Sequence, residues 1–261
     1  MSALLRLTRP LRSLPTKSNS LPQTFFSRIP TPSRTRLQSR SYSYASHVSN
    51  TRTNMAILYT FIGANLSVYG YAMYLKSAAM QGHVAPFSKF IQNMTLNLED
   101  FRAGRWWTTV TATFTHLSIG HIFGNMCTVF FLGRFLATAR IITPARYFII
   151  AMGSGLCGSI GYLVNRYVQT QKTGERDNTR GLGFSGAVTG ISSVAACLAP
   201  TAKVRLYGIV PVPLWGLVAG YAAYDGFYLN DSNSRIGHAG HLGGLGFGLV
   251  YYFFKLRGLR V

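Results

Sequence analysis

Ser185 stands in the turn Gly183-Phe184-Ser185-Gly186 at the head of one apolar stretch, and His241 stands in His238-Ala239-Gly240-His241-Leu242-Gly243-Gly244 at the head of another. A hydroxyl becomes a nucleophile when a neighbouring base takes its proton, and an imidazole suits that task near neutral pH. Ionisable groups are expensive inside a bilayer, so a histidine within an apolar stretch points to function and the serine names its partner. A third apolar stretch opens with His116-Leu117-Ser118-Ile119-Gly120-His121-Ile122-Phe123-Gly124-Asn125, which sets His121 and Asn125 at i and i+4 on one helical face. Acyl transfer needs donors for a developing oxyanion, and this pair could supply them. The chemistry suggested is serine hydrolysis inside a membrane.

Each piece has a plainer reading. A Gly-x-Ser-Gly turn can serve packing alone, and His121 with Asn125 can clasp two helices. His241 can be a core histidine hydrogen-bonded to a neighbouring helix, or one of a metal pair with His238, although a metal would want three or more ligands. The only carboxylates near these helix heads are Asp225 and Asp231. Gly183 and Gly186 let the backbone bend and approach a carbonyl closely, and the start of the following helix offers free N–H groups. Gly240, Gly244 and Gly248 repeat every four residues, as do Gly186 and Gly190, and such rows let membrane helices approach closely. A close crossing of these two helices is what would bring imidazole and hydroxyl together.

The elements that must position these groups follow from composition. Of 261 residues 48% are hydrophobic, 13% aromatic and only 12% charged, the balance of an all-α, polytopic membrane protein. A span needs about 20 largely apolar residues, and six stretches qualify near 55–75, 118–138, 145–166, 183–200, 206–228 and 237–256. Residues 76–117, with Leu98-Glu99-Asp100-Phe101 and Arg105-Trp106-Trp107, are too polar to span and suit the interface. The net charge of +20 is scattered through loops and the N-terminal region and forms no face interleaved with aromatics, which excludes a nucleic-acid partner. Cys127, Cys157 and Cys197 lie in apolar stretches with no disulfide or metal spacing. No cofactor or metal is expected.

Residues 1–54 hold nine Lys or Arg and no Asp or Glu among many Ser, Thr and Pro, the composition of a mitochondrial transit peptide. Arg40-Ser41-Tyr42-Ser43 resembles the processing site of fungal presequences, which implies removal of residues 1–42 and leaves 43–54 as a short segment before the body at 55–256 and a tail at 257–261. Arg134, Arg140 and Arg146, then Lys203 and Arg205, then Lys255, Arg257 and Arg260 occupy alternate loops and the C-terminus, while Glu99, Asp100, Glu175, Asp177, Asp225 and Asp231 occupy the others. The positive-inside rule puts the first set and both termini in the matrix. Ser185, His241 and His121 then lie within about one turn of each other in height, near the intermembrane-space side.

Taken together these motifs resemble the rhomboid family of intramembrane serine proteases over residues 55–256. The resemblance implies a six-helix bundle, Ser185 as nucleophile, His241 as base in a Ser–His dyad, and His121 and Asn125 as oxyanion donors with the Ser185 amide. Val210-Pro211-Val212-Pro213 and the basic leader look most like fungal mitochondrial members, which implies an inner-membrane location. Such relatives often carry an extra N-terminal span, and Trp107-Thr108 stands where the family has a Trp-Arg pair. The implied partners are the lipid bilayer and membrane-protein substrates with a labile transmembrane helix, such as an inner-membrane dynamin-like GTPase or a peroxidase precursor. Asp225 is expected to cap or salt-bridge at the end of the fifth span, with no third acid in the site. Pro211 and Pro213 are expected to weaken the start of the fifth helix, as would suit a lateral gate. The rival readings are a non-catalytic rhomboid-like protein that binds helices, and a histidine-lined carrier.

Overall fold

The computed structural model describes residues 34–206, 209–231, 234 and 236–259. The expected presequence lies largely outside them. The chain divides into two units, Met1–Tyr44 and Ala45–Val261, and the described backbone of the first, from residue 34, is helical. Helix α1 has the bounds Arg34–Met80. It is followed by three short helices, α2 (Val84–Met94), α3 (Leu98–Arg102) and α4 (Thr108–Thr111), and then by α5 (Ile119–Thr138), α6 (Pro144–Thr173) and α7 (Ser185–Leu198). Strands β1 (Lys203–Leu206) and β2 (Val210–Pro213) precede α8 (Leu214–Phe227) and α9 (His238–Tyr251). A π turn, Tyr252–Leu256, continues α9.

Among the described residues, α5 and α6 are long and apolar enough to cross a membrane, and α7 is a shorter apolar helix. The other expected stretches contain parts of α1, α8 and α9, the last two of 14 residues each. At ~1.5 Å per residue such helices fall short of a ~30 Å core without their flanking turns.

The largest departure from the sequence reading lies at 203–213. An antiparallel ribbon pairs Lys203 with Pro213, Val204 with Val212, Arg205 with Pro211 and Leu206 with Val210, where helix was expected from about 206. Proline lacks the N–H and biases the residue before it towards extended backbone. Helix therefore starts only after Pro213. The two prolines do not kink α8; they set where it begins.

Helix α7 is central. Ten of its fourteen residues are buried, all but three of them Gly, Ala or Ser, and its neighbours are α5, α6, α8 and α9. Small residues allow backbone contact on several sides at once. A Cβ on Gly244 would lie 2.0 Å from the Gly186 carbonyl oxygen, and one on Gly248 would lie 2.5 Å from that of Gly190. Gly240 instead faces Gly158 of α6, and Gly243 faces the Cys157 carbonyl. The glycine row expected to serve one crossing serves two. Thr189 Oγ1 donates to the His241 carbonyl at 2.9 Å and Ser193 Oγ to that of Leu245 at 3.2 Å, tying α7 to α9.

Residues 84–115 are more ordered than an interfacial loop requires. Asn97 caps α3 through the Glu99 and Asp100 amides and donates to the carbonyls of Asp177 and Thr179. Leu96 and Gly181 exchange backbone hydrogen bonds of 2.8 and 2.7 Å. Asp100 pairs with Arg105 and, at 2.6 Å, with Arg180. This clasp fixes the 177–181 segment, which leads directly into the Ser185 turn. Asp177 accepts from Thr179 and Arg166.

Burial alone would raise the Asp177 carboxyl, but bonds from Thr179 and Arg166 outweigh it and hold the group below the usual carboxylate range. A depressed folded-state value gives stability that is present above the unfolded value and is lost as pH falls through the folded one. Asp177→Asn is expected to cost about 1.5–3 kcal/mol at neutral pH. Thermal unfolding in detergent should show the gap to wild type closing as pH falls below 4. A gap unchanged in acid would show that the charge is not what matters.

Candidate active site

Three features shape the turn before α7. Gly183 has φ +118, a conformation that side chains with a Cβ rarely adopt. Phe184 is fully buried between Phe61 and Phe114, with ring centroids 5.6 and 5.8 Å away. Ser185 is then the first residue of α7, where backbone N–H groups have no intrahelical acceptor. An anchored ring on one side and a packed glycine on the other leave the hydroxyl little freedom.

Ser185 Oγ lies 2.9 Å from His241 Nε2. His241 is the fourth residue of α9, and the side-chain and backbone contacts between α7 and α9 set that distance. His121, third in α5, lies against the other side of the turn. A Cβ at Gly183 would fall 2.5 Å from its Cε1, 2.7 Å from its Nε2 and 3.6 Å from Asn125 Nδ2. Ser185, His241, His121 and Asn125 therefore line one cavity of about 1170 Å³.

Sequence reading passed over His116. It is fully buried, and its Nε2 meets the Phe184 N–H at 3.3 Å and Asn125 Nδ2 at 2.8 Å. An amide N–H can only donate, so Nε2 is the acceptor, and Asn125 must present its NH₂ group there. Burial first, and the adjacent His121 second, hold this imidazole well below its ordinary range. It stays neutral near pH 7. His116 thus fixes both the turn and the Asn125 amide, whose second N–H remains to donate. Nothing in the spacing of His116 marks it: it precedes the Ser118 cap of α5 and shares no helical face with Asn125.

The expectation for Asp225 needs correction in part. This carboxylate does pair at the end of α8, but with two histidines of α9, one of them the candidate base. Oδ1 lies 2.6 Å from His238 Nδ1 and 3.0 Å from His241 Nδ1, and Oδ2 lies 3.1 Å from His241 Nδ1. A third acid does stand in the site. Asp225, His238 and His241 offer three possible metal-ligand atoms within 4.8 Å of one another, a donor count that their spacing in the sequence does not show. The O···N separations are those of direct hydrogen bonds. The three cysteines are free and unconnected with this cluster.

Comparison with known proteins adds to this geometry. The Rhomboid domain model matches residues 103–258. The chain is 33% identical over 162 residues to RHOMBOID-like protein 12, mitochondrial, of Arabidopsis thaliana, a match covering 59% of this chain and 48% of that one. It is 25% identical over 198 residues to Rhomboid protein 1, mitochondrial, of Saccharomyces cerevisiae, covering 75% and 52%. The chain spans about half the length of these relatives.

Proposed function

The chain belongs to the rhomboid family, and on that premise we propose that it is an intramembrane serine endopeptidase that cuts transmembrane segments of membrane proteins. The observation that carries this reading is the 2.9 Å contact between Ser185 Oγ and His241 Nε2 on a polar cavity. A protein that only binds helices has no need of that contact.

His241 Nε2 takes the hydroxyl proton as Ser185 Oγ bonds to the scissile carbonyl carbon. His121, Asn125 and the Ser185 amide hold the resulting oxyanion. The C–N bond breaks as His241 returns the proton to the leaving amine, and a water deprotonated by His241 then releases the acyl group. Water enters through the cavity. The backbone that is not helical at membrane depth is tolerated where it lines such a space.

The reading extends to a six-span bundle in the mitochondrial inner membrane, with both termini in the matrix and the cavity open to the intermembrane space. Its supports are the mitochondrial relatives, the basic leader and the alternation of basic and acidic loops. Substrates of the dynamin-like GTPase or peroxidase-precursor kind follow only from the family resemblance. The test is cleavage of a tagged transmembrane substrate by purified protein in proteoliposomes. Product must form with wild type and vanish with Ser185→Ala. Wild type inactive against several helices would put helix binding ahead.

Asn125→Ala is expected to lower kcat by about 10²–10³ with a smaller change in KM, since an oxyanion donor works mainly in the transition state. Steady-state cleavage in the same vesicles measures it. A rise in KM alone would move Asn125 from the oxyanion to substrate binding.

A further inference from the structure

Asp225, near the C-terminal end of α8, has a side chain only 4% exposed. It grips two imidazoles at once. An ionised carboxylate accepts and never donates, so Nδ1 of His238 and Nδ1 of His241 must each carry a proton. His238 Nε2 is 2.8 Å from Ser234 Oγ, whose oxygen accepts from the Ile236 N–H at 3.2 Å. The ring of His238 also packs against Tyr224 and Tyr228, with centroids 5.6 and 5.9 Å away. The proton on His241 Nδ1 leaves Nε2 with a free lone pair, and that lone pair faces Ser185. The other tautomer would present an N–H to the hydroxyl and could not take its proton.

We propose that Asp225 is the positioning residue of the catalytic base. It selects the reactive tautomer of His241, aims the ring at Ser185 and counterbalances the imidazolium that forms during acylation, while His238 holds the carboxylate in place. This rests on the reading of Ser185 and His241 as nucleophile and base. A clamp between α8 and α9 would be complete with His238 alone. The additional grip falls on the one imidazole whose other nitrogen reaches the serine, and it uses both carboxylate oxygens. The active site is then a Ser–His–Asp arrangement supported from behind by a second histidine, in place of a dyad.

The experiment compares wild type, Asp225→Asn, Asp225→Glu and Ser185→Ala in proteoliposomes, with thermal unfolding to score the folded fraction. Asparagine keeps the shape of aspartate. Its oxygen can still accept from His238, but its NH₂ stands at the Oδ2 position 3.1 Å from His241 Nδ1, where it favours the tautomer protonated on Nε2, and it carries no charge to balance the imidazolium. Asp225→Asn should lower kcat by about 10³–10⁴ with KM within about threefold, and Asp225→Glu should recover at least about tenfold of that loss. A purely structural role would instead lower the unfolding midpoint and leave the folded fraction fully active.

Labelling of Ser185 by a fluorophosphonate gives a second readout that needs no transmembrane substrate. A Ser–O–P bond forms, fluoride leaves and His241 takes the proton, so labelling should slow by a comparable factor. Folded Asp225→Asn with kcat and labelling within threefold of wild type overturns the proposal while leaving the protease reading intact. Wild type that neither cleaves nor labels overturns both. If Asp225→Asn does not fold, His238→Phe keeps the ring and removes the donor, and its labelling should slow about tenfold. Labelling at the wild-type rate in folded His238→Phe overturns the proposal. So does activity lost to EDTA and restored by zinc, which would assign the cluster to a metal.

Discussion

Alanine at Ser185, at His241 or at both will lower kcat by about the same large factor, on the order of 10⁴–10⁶. On the proposed mechanism the two groups act on one proton. With the imidazole gone the hydroxyl has no acceptor for its proton, and with the hydroxyl gone the imidazole has nothing to activate. The second deletion therefore removes nothing that the first had left working. The 2.9 Å contact between them supports this coupling, and folding should survive each change, since neither side chain belongs to the close-packed glycine seam. Single-turnover cleavage of a tagged transmembrane substrate, with Ser185→Ala, His241→Ala and the double variant at equal folded fraction, measures it. A double variant slower than either single one by a further 10²-fold or more would mean that the two act independently, and the shared-proton mechanism would fail.

The residues of this site differ in how visible they are in the sequence. Ser185 and His241 stand out because glycines flank them and because each opens an apolar stretch, where a polar group is costly and its presence informative. His121 and Asn125 stand out through helical spacing. All these signals are local to one element. The role proposed for Asp225 is not local: it depends on how α8 is rotated against α9, which brings a carboxylate to histidines 13 and 16 positions away. Periodicity describes one helix and says nothing of the rotation of its neighbour. The same limit hid His116, which acts across 68 residues on the Phe184 amide, and the clasp of Asn97 onto residues 177 and 179. The ribbon at 203–213 was legible in part, because Pro211 and Pro213 are written there. In sequence they suggest only a weakened helix, because the apolar run carries on past them. In the folded chain the missing N–H groups outweigh apolar continuity.

Gly244→Ala should be the most damaging single-methyl change in the helical body. A Cβ there would lie 2.0 Å from the Gly186 carbonyl oxygen, 2.7 Å from its carbonyl carbon and 2.9 Å from its Cα. All three are backbone atoms, so no side chain can swing aside and the helices themselves must part. Overpacking of this kind costs about 1–3 kcal/mol and sometimes more, and the rigid neighbours argue for the upper end. The effect on chemistry is separate. Gly186 follows Ser185 and Gly244 lies one turn after His241, so a crossing forced apart moves nucleophile from base, and a misplacement of about 1 Å can cost roughly 10² in rate. Gly244→Ala is therefore expected both to lower the unfolding midpoint and to reduce kcat about 10²-fold in what remains folded. Gly246→Ala is the control, because a Cβ at Gly246 meets nothing within 4 Å and alanine favours helix by about 1 kcal/mol. Thermal unfolding in micelles and cleavage in vesicles separate the two effects. Gly244→Ala as stable and as active as Gly246→Ala would mean that α7 and α9 do not touch backbone to backbone, and that something other than their glycines holds Ser185 within reach of His241.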